Sequence, residues 1–478
     1  MSQTQLASDS PTTAPQAQLE RLLRAQRVAH AATPHDYARR RRHLDALESA
    51  IKAHREKFAD ALNADFGNRS RHESLLTEIV PVLNEIRYTR RHLQRWMRSQ
   101  RVSVGLQLFP ARGQILCQPL GVIGIVAPWN YPVNLSLWPL VSALAAGNHV
   151  MIKPSESAPE TANALRDMLG ETFDSEVVTV ITGGPDVASA FCALPFDHLL
   201  FTGSERVARK VLVAAAVNLT PVTLELGGKT PTIVDRDFPI KTAAERIMTG
   251  KLMNAGQTCI APDYLLLHET LVDEFVTRAR DCAQTMYPTF AGNPDYTTII
   301  NKQYSERLDG LLADAKARGA TLVPLTSEEP TRDRCMPPCL ILNPTDDMRI
   351  MREEIFGPVL PILTWRALDD AIAYVNARPH PLALYYFGYD KGRIRRVITE
   401  TLSGGVAIND VVIHKAPPTL PFGGVGASGT GQYNGKFGFL TFSKQKAVFF
   451  QSRWSGLGML RPPYGKLIEK VLKFLIGN

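Results

Sequence analysis

The chain has 478 residues, of which 45% are apolar and 21% charged, and carries a formal net charge of +8. This is the composition of an ordinary soluble globular protein, long enough for two or three domains around a sizeable core. The six cysteines (Cys117, Cys192, Cys259, Cys282, Cys335 and Cys339) are scattered, which excludes a disulfide scaffold, and the close pair Cys335 and Cys339 has no second ligand pair at metal spacing, so no metal site is expected.

Residues 1–17 are polar and read as unstructured, without the apolar core of a secretory leader. Helical patterns follow at about 18–30, 36–64 and 70–99. The positive excess gathers on the second and third of these, at residues 39–42 and 87–101, where apolar residues recur at helical spacing. A solvated basic helix face explains it, and no zinc-finger, homeodomain or RNP-type signature argues for a nucleic-acid partner. From residue 121 the pattern changes. G-V-I-G-I-V-A over 121–127 reads as a strand buried on both faces. A Pro-bracketed loop, a helix to Ala146 and a strand ending at Lys153 follow. Helices near Pro159, Asp186 and Ser204 then alternate with strands near Val177, at 198–202 and at 222–226. This rhythm predicts a parallel sheet covered on both faces. A second α/β stretch is expected from about Pro231 to Asn409, and 417–431, dense in Gly and Pro, reads as loop. Residues 464–476 form a short basic amphipathic pattern suited either to packing on a partner subunit or to resting on a membrane surface. No apolar run reaches the roughly 20 residues that cross a bilayer, and a cytoplasmic location is expected.

Several short motifs could carry chemistry. Cys259 in N-A-G-Q-T-C follows a glycine-bearing turn that could expose a nucleophile, although a lone cysteine is more often a small buried hydrophobe. Glu225 in L-E-L-G-G-K ends an apolar strand, where a carboxylate is costly unless paired or functional. Asn130 in P-W-N-Y-P could donate to an oxyanion or make an ordinary turn. Lys153 and Glu156 in K-P-S-E stand at a strand's carboxyl end, where open α/β sheets bind ligands; they could meet ribose hydroxyls or simply pair. Gly203 and Ser204 in F-T-G-S open a helix that could hold a pyrophosphate, but the usual G-x-G-x-x-G fingerprint is absent.

Singly these motifs are weak. Their order is specific: P-W-N-Y-P, K-P-S-E, F-T-G-S, L-E-L-G-G-K, G-Q-T-C, E-E-I-F-G-P, then L-P-F-G-G-V-G-A-S-G. With that order the chain resembles the aldehyde dehydrogenase superfamily from about residue 18 to 450. The resemblance implies an α/β fold with a Rossmann-like cofactor domain (18–101 and 121–226), a catalytic domain (227–401), a small β oligomerisation arm (102–120 and 430–455) that makes a homodimer, and an amphipathic tail (456–478). It implies Cys259 as nucleophile, Glu225 as the base for the deacylating water and Asn130 in the oxyanion hole. Lys153 and Glu156 would meet the adenosine ribose, Gly203 and Ser204 the pyrophosphate, and Glu354 and Phe356 the nicotinamide end. Glu156 would repel a 2'-phosphate, favouring NAD while leaving NADP open. Retention of Glu225 favours hydrolysis over transfer to coenzyme A. One departure is Ala208, where many relatives carry glycine.

Within the family the chain resembles the class 3 branch, and most of all the bacterial coniferyl aldehyde dehydrogenases, on A-D-F-G-N-R-S, P-F-D-H-L-L-F-T-G and A-P-D-Y-L-L-L. That implies an aromatic or long apolar aldehyde, with Tyr131 and Trp138 as tunnel candidates, although Trp138 also suits the core. The alternative is a long-chain fatty aldehyde dehydrogenase whose tail meets a membrane. The segment 413–419 departs from the coniferyl pattern and is expected beside the substrate tunnel.

Overall fold

The apolar run V-I-G-I-V becomes the strand Val122–Val126, buried along its whole length. Alternate side chains leave a strand on opposite faces. Val122 and Val126 join one apolar cluster with Leu19, Leu23 and Phe201, while Ile123 and Ile125 join another with Leu137, Leu144 and Trp138. Both faces of the sheet are thereby covered. A computed structural model of the chain describes residues 14–105, 108–455 and 461–477.

The sheet has six strands in the order Gly429–Thr430, Val222–Glu225, His198–Thr202, Val122–Val126, His149–Lys153 and Val178–Val180. Every pairing is parallel except that of Gly429–Thr430 with Val222–Glu225. Strand order reverses between Val122–Val126 and His198–Thr202, the switch point at which open α/β sheets form a ligand crevice. Asn130 and Gly203 follow the carboxyl ends of those two strands.

The second sheet has seven strands: Thr321–Pro324, Cys339–Leu342, Val359–Trp365, Tyr264–His268, Pro231–Val234, Ala383–Phe387 and Gly405–Ile408. It is parallel apart from its edge strand Thr321–Pro324. A third, antiparallel sheet joins Gln100–Val102, Arg112–Pro119 and Ser443–Phe450.

The structure departs from expectation at several points. Of the stretch expected to be unstructured, residues 1–13 lie outside the described residues, but 14–17 open the helix Ala14–Ala32. The long helix expected at 70–99 is broken into Arg71–Ser74, a π-turn over Leu75–Ile79, and Val80–Met97. Pro81 has no N–H for the Thr77 carbonyl one turn back. That carbonyl accepts instead from Asn134 Nδ2 at 2.7 Å. The edge strand Gly405–Ile408, which pairs in parallel with Ala383–Phe387, falls within the α/β stretch expected to run to Asn409 and beyond the domain boundary at Thr401 that the resemblance implies. The stretch 417–431 is not all loop: Gly429–Thr430 adds a strand to the first sheet, placing Gly429 opposite Glu225. The third sheet begins at Gln100, two residues before the expected arm. The tail helix is Lys466–Ile476, while 456–460 and 478 of the expected tail lie outside the described residues. Among the described residues no helix is long and apolar enough to cross a membrane.

Candidate active site

Cys259 follows three consecutive residues in the left-handed region: Asn254 (φ 51°), Ala255 (φ 50°) and Gly256 (φ 73°). For alanine this conformation is unfavourable and must be held by its surroundings. The hold is a polar network. Asn254 N donates to the Glu73 carboxylate at 3.1 Å. Gln257 Nε2 donates to the Asn254 and Thr298 carbonyls at 3.0 and 3.1 Å, and its Oε1 accepts from Ile300 N at 3.0 Å. A Cβ on Gly256 would overlap the Gly357 carbonyl oxygen, so the glycine lets this turn sit against the E-E-I-F-G-P segment. Tyr131 Oη and Thr258 Oγ1 are 2.7 Å apart beside the thiol.

Asn130 is tied to the same turn. Its carbonyl accepts from Arg69 Nη1 and Asn254 Nδ2, both at 3.0 Å, and its Nδ2 donates to the Gln257 carbonyl at 3.1 Å. An amide nitrogen carries two hydrogens, so one remains for a ligand. Arg69 is itself buried, paired with Glu78 at 3.0 Å, and Glu78 Oε2 accepts from Asn134 N at 2.7 Å. The π-turn, the N-terminus of the helix Pro132–Ala146 and the cysteine turn form one braced unit.

Cys259 and Asn130 line a cavity of about 940 Å³. Its walls include Gly203, Ser204, Glu354 and Phe356, together with Trp129, Tyr304 and Arg307. Glu225 is 1% exposed, and neither of its carboxylate oxygens has a hydrogen-bond partner among the described residues. It immediately precedes Leu226, Gly227 and Gly228, which do line the cavity. Burial raises its pKa well above the usual carboxylate range, against the opposing charge of Lys415. The Cys259 thiol is partly accessible yet deep enough that burial pushes it up to about 12, again opposed by Lys415. Glu354 is pushed up to about 8 by burial and by Asp263, with Gly228 N–H opposing. A Cβ on Gly227 would overlap its carboxylate.

The remaining sequence-predicted residues are placed as follows. Gly203 lines the cavity, but its N–H donates to the Glu225 carbonyl at 3.0 Å. The unsatisfied N–H groups at this helix end are therefore those after it, where Ser204, Glu205 and Arg206 line the cavity at the start of Glu205–Ala216. Ala208 is buried within that helix, away from the cavity lining. Lys153 and Glu156 stand 3.5 Å apart, and Lys153 Nζ also donates to the Pro154 carbonyl at 2.8 Å. Burial lowers the Lys153 pKa, opposed by Glu156. Neither residue lines this cavity. Phe356 (φ 54°) meets Trp129 edge-on at 5.3 Å. Tyr131 and Trp138 do not line the cavity, and Trp138 is 1% exposed within the main core. Among the described residues no cluster of three or more His, Cys, Asp or Glu side chains could hold a metal.

Sequence reasoning missed Glu73, Arg69, Gln257 and Lys415. The A-D-F-G-N-R-S and G-Q-T-C motifs contain Arg69 and Gln257, but only the fold shows what they brace.

Replacing Asn130 by alanine is expected to lower kcat by about 100- to 1,000-fold, the usual cost of losing one oxyanion donor. Steady-state turnover beside thermal unfolding checks this. A loss confined to stability would remove Asn130 from the chemistry.

The model described as "Aldehyde dehydrogenase family" matches residues 5–448. A Pseudomonas aeruginosa protein named "Probable coniferyl aldehyde dehydrogenase" is 52% identical over 456 residues, covering 95% of each chain. The coniferyl aldehyde dehydrogenase of a Pseudomonas sp. is 45% identical over 442 residues, covering 91% of each. Among solved structures, Staphylococcus aureus AldH in its substrate-bound state matches with a TM-score of 0.89 at 41% identity, over 96% of this chain and 99% of that one. An NAD-dependent aldehyde dehydrogenase from Sinorhizobium meliloti matches with a TM-score of 0.83 at 28% identity, over 92% and 88%.

Proposed function

The chain belongs to the aldehyde dehydrogenase family, and from that premise we propose that it oxidises an aromatic aldehyde of the coniferyl type to the free acid, with Cys259, Glu225 and Asn130 as its catalytic residues. The enzyme is an NAD(P)-dependent aldehyde dehydrogenase. The observation that carries the residue roles is the convergence of Cys259 and Asn130 on one cavity, with a buried carboxylate beside it, Glu225, that has no hydrogen-bond partner among the described residues.

The residues present fit a dinucleotide. The cavity is large, Gly227 and Gly228 keep its floor free of side chains, and the helix end at Ser204 offers N–H groups to phosphate. Glu354 and Phe356 would hold the nicotinamide end. Lys153 and Glu156 would hold the adenosine ribose, and the Glu156 carboxylate beside Lys153 favours NAD over NADP. Bound there, the dinucleotide supplies the hydride acceptor.

The chain's own part in the chemistry is as follows. Cys259 Sγ adds as thiolate to the aldehyde carbon, and the new oxyanion is held by Asn130 Nδ2 and the Cys259 backbone N–H. Once hydride has left, a thioester remains on Cys259. Glu225 takes a proton from the water that hydrolyses it. A carboxyl group whose pKa is raised by burial is a stronger base once ionised, which suits this task.

The arm sheet Gln100–Val102, Arg112–Pro119 and Ser443–Phe450, with Phe449 and Phe450 half exposed, supports a homodimer. A cytoplasmic location accords with this reading. The second reading, a long-chain fatty aldehyde dehydrogenase resting on a membrane, has one observation in its favour: Leu467, Leu472, Phe474, Leu475 and Ile476 of the tail helix are exposed. NADH formation by the purified protein, without coenzyme A, separates the two. Coniferyl aldehyde should exceed a long-chain alkanal in kcat/KM by tenfold or more, on the order of 1.4 kcal/mol in transition-state binding. The opposite preference would move the protein to the fatty-aldehyde reading.

A further inference from the structure

Lys415 closes the single turn Ile413–Lys415 in the segment that departs from the coniferyl pattern. The turn follows Val412, a β-branched residue held at φ 65°, a conformation that the surrounding packing must impose. Among the described residues the Lys415 ammonium makes one hydrogen bond, to Asn134 Oδ1 at 3.4 Å. It lies 4.8 Å from the centre of the Trp138 ring and 5.6 Å from that of Phe422. It forms no ion pair among the described residues, although the charges of Cys259, Glu225, Glu78 and Glu85 all act on it. An ammonium has three donors, so two remain unspent. Burial lowers the Lys415 pKa, so its charged form is costly there without a partner, and its two aromatic neighbours offset only part of that cost.

Its nearer carboxylates are committed elsewhere or set apart. Glu78 serves Arg69 and Asn134 N, and Glu85 Oε1 accepts from Gly435 N and Thr89 Oγ1, while its Oε2 has no partner among the described residues and makes no ion pair with Lys415. Glu225 remains free but makes no contact with Lys415 within ion-pair distance. The cation therefore stands in the field of the reacting groups, between aromatic walls, with donors unused.

We propose that Lys415 is a specificity-determining residue, whose ammonium docks an anionic or strongly accepting oxygen, a carboxylate or phenolate, carried on the body of an aromatic aldehyde. This rests on the aldehyde-oxidising reading of the site and narrows its substrate class.

The test compares two aldehydes of matched shape, para-carboxybenzaldehyde and para-methylbenzaldehyde, and adds coniferyl aldehyde against its phenol methyl ether. Each is assayed with the full-length protein and with Lys415→Met and Lys415→Arg. A charged hydrogen bond is worth roughly 10- to 100-fold in kcat/KM. Lys415→Met should lose that much of the preference for the charged member of each pair, over and above any loss common to both members that follows from removing the cation near Cys259 and Glu225. Lys415→Arg should keep part of the preference. An unchanged ratio in Lys415→Met overturns the proposal. So does an equal loss on both members, which would place the cation's effect on Cys259 or Glu225 instead. If Lys415→Met does not fold, the wild-type protein still decides. Terephthalate should then compete with a neutral aldehyde at least about tenfold better than para-toluate, and equal inhibition overturns the proposal. Failure of every aldehyde to yield NADH would overturn the dehydrogenase reading and this inference together, an outcome distinct from turnover without discrimination.

Discussion

Replacing Cys259 by alanine should abolish NADH formation, by about four orders of magnitude or more, while leaving dinucleotide binding intact. The reason lies in which thiol the fold exposes. All six cysteines are free, but only Cys259 lines the cavity. Burial raises Cys192 and Cys339 to about 11 each, and neither lies beside Asn130. Cys117, Cys282 and Cys335 are likewise raised, chiefly by burial. No second thiol can therefore take over. The variant should keep its fold, because the cysteine turn is held by Asn254, Gln257 and Glu73 and not by the thiol. Dinucleotide titration by fluorescence, run beside the turnover assay, separates the two effects. Turnover near the wild-type level would sink the mechanism, and loss of binding along with turnover would mean that the substitution had damaged the cavity instead.

Much of this site could be read before the fold was known, and the part that could not has a physical cause. Cys259, Glu225 and Asn130 belong to local motifs whose sequence order survives in the chain, and strands such as Val122–Val126 announce themselves by unbroken apolar runs. Motif and periodicity are both local properties. Glu73 is different. It reaches the Asn254 backbone across 181 residues of sequence, and nothing near Glu73 distinguishes it from a surface carboxylate on a helix. The same holds for Lys415, which reads as one more lysine in a loop until Trp138 and Phe422 are found beside it. The π-turn at Leu75–Ile79 was hidden for a related reason. Pro81 signals a disturbed helix, but the Asn134 side chain that satisfies the freed Thr77 carbonyl comes from a different element. The helix end at Ser204 shows the converse limit. The glycine before it was legible, yet its N–H is taken by Glu225, a sheet contact that only strand pairing reveals.

Replacing Glu225 by glutamine should separate the two halves of the reaction. Cys259 and Asn130 remain, so acylation should proceed and release about one equivalent of NADH per active site in a burst. The deacylating water then lacks its base, and steady-state turnover should fall by about 100- to 10,000-fold. Mass spectrometry of the quenched protein should find the acyl group on Cys259. Burial raises the Glu225 pKa well above the usual carboxylate range, so the group is protonated at low pH and becomes a base as pH rises through that raised value. Where deacylation limits the wild-type rate, that rate should climb with pH, and the glutamine variant should lose that rise. Stability should change little, since both carboxylate oxygens already lack hydrogen-bond partners among the described residues and the substitution removes a buried ionisable group without opening a cavity. Steady turnover within a few-fold of wild type, with no burst, would remove Glu225 from deacylation. A variant that neither bursts nor turns over would place Glu225 earlier, in activating the thiol.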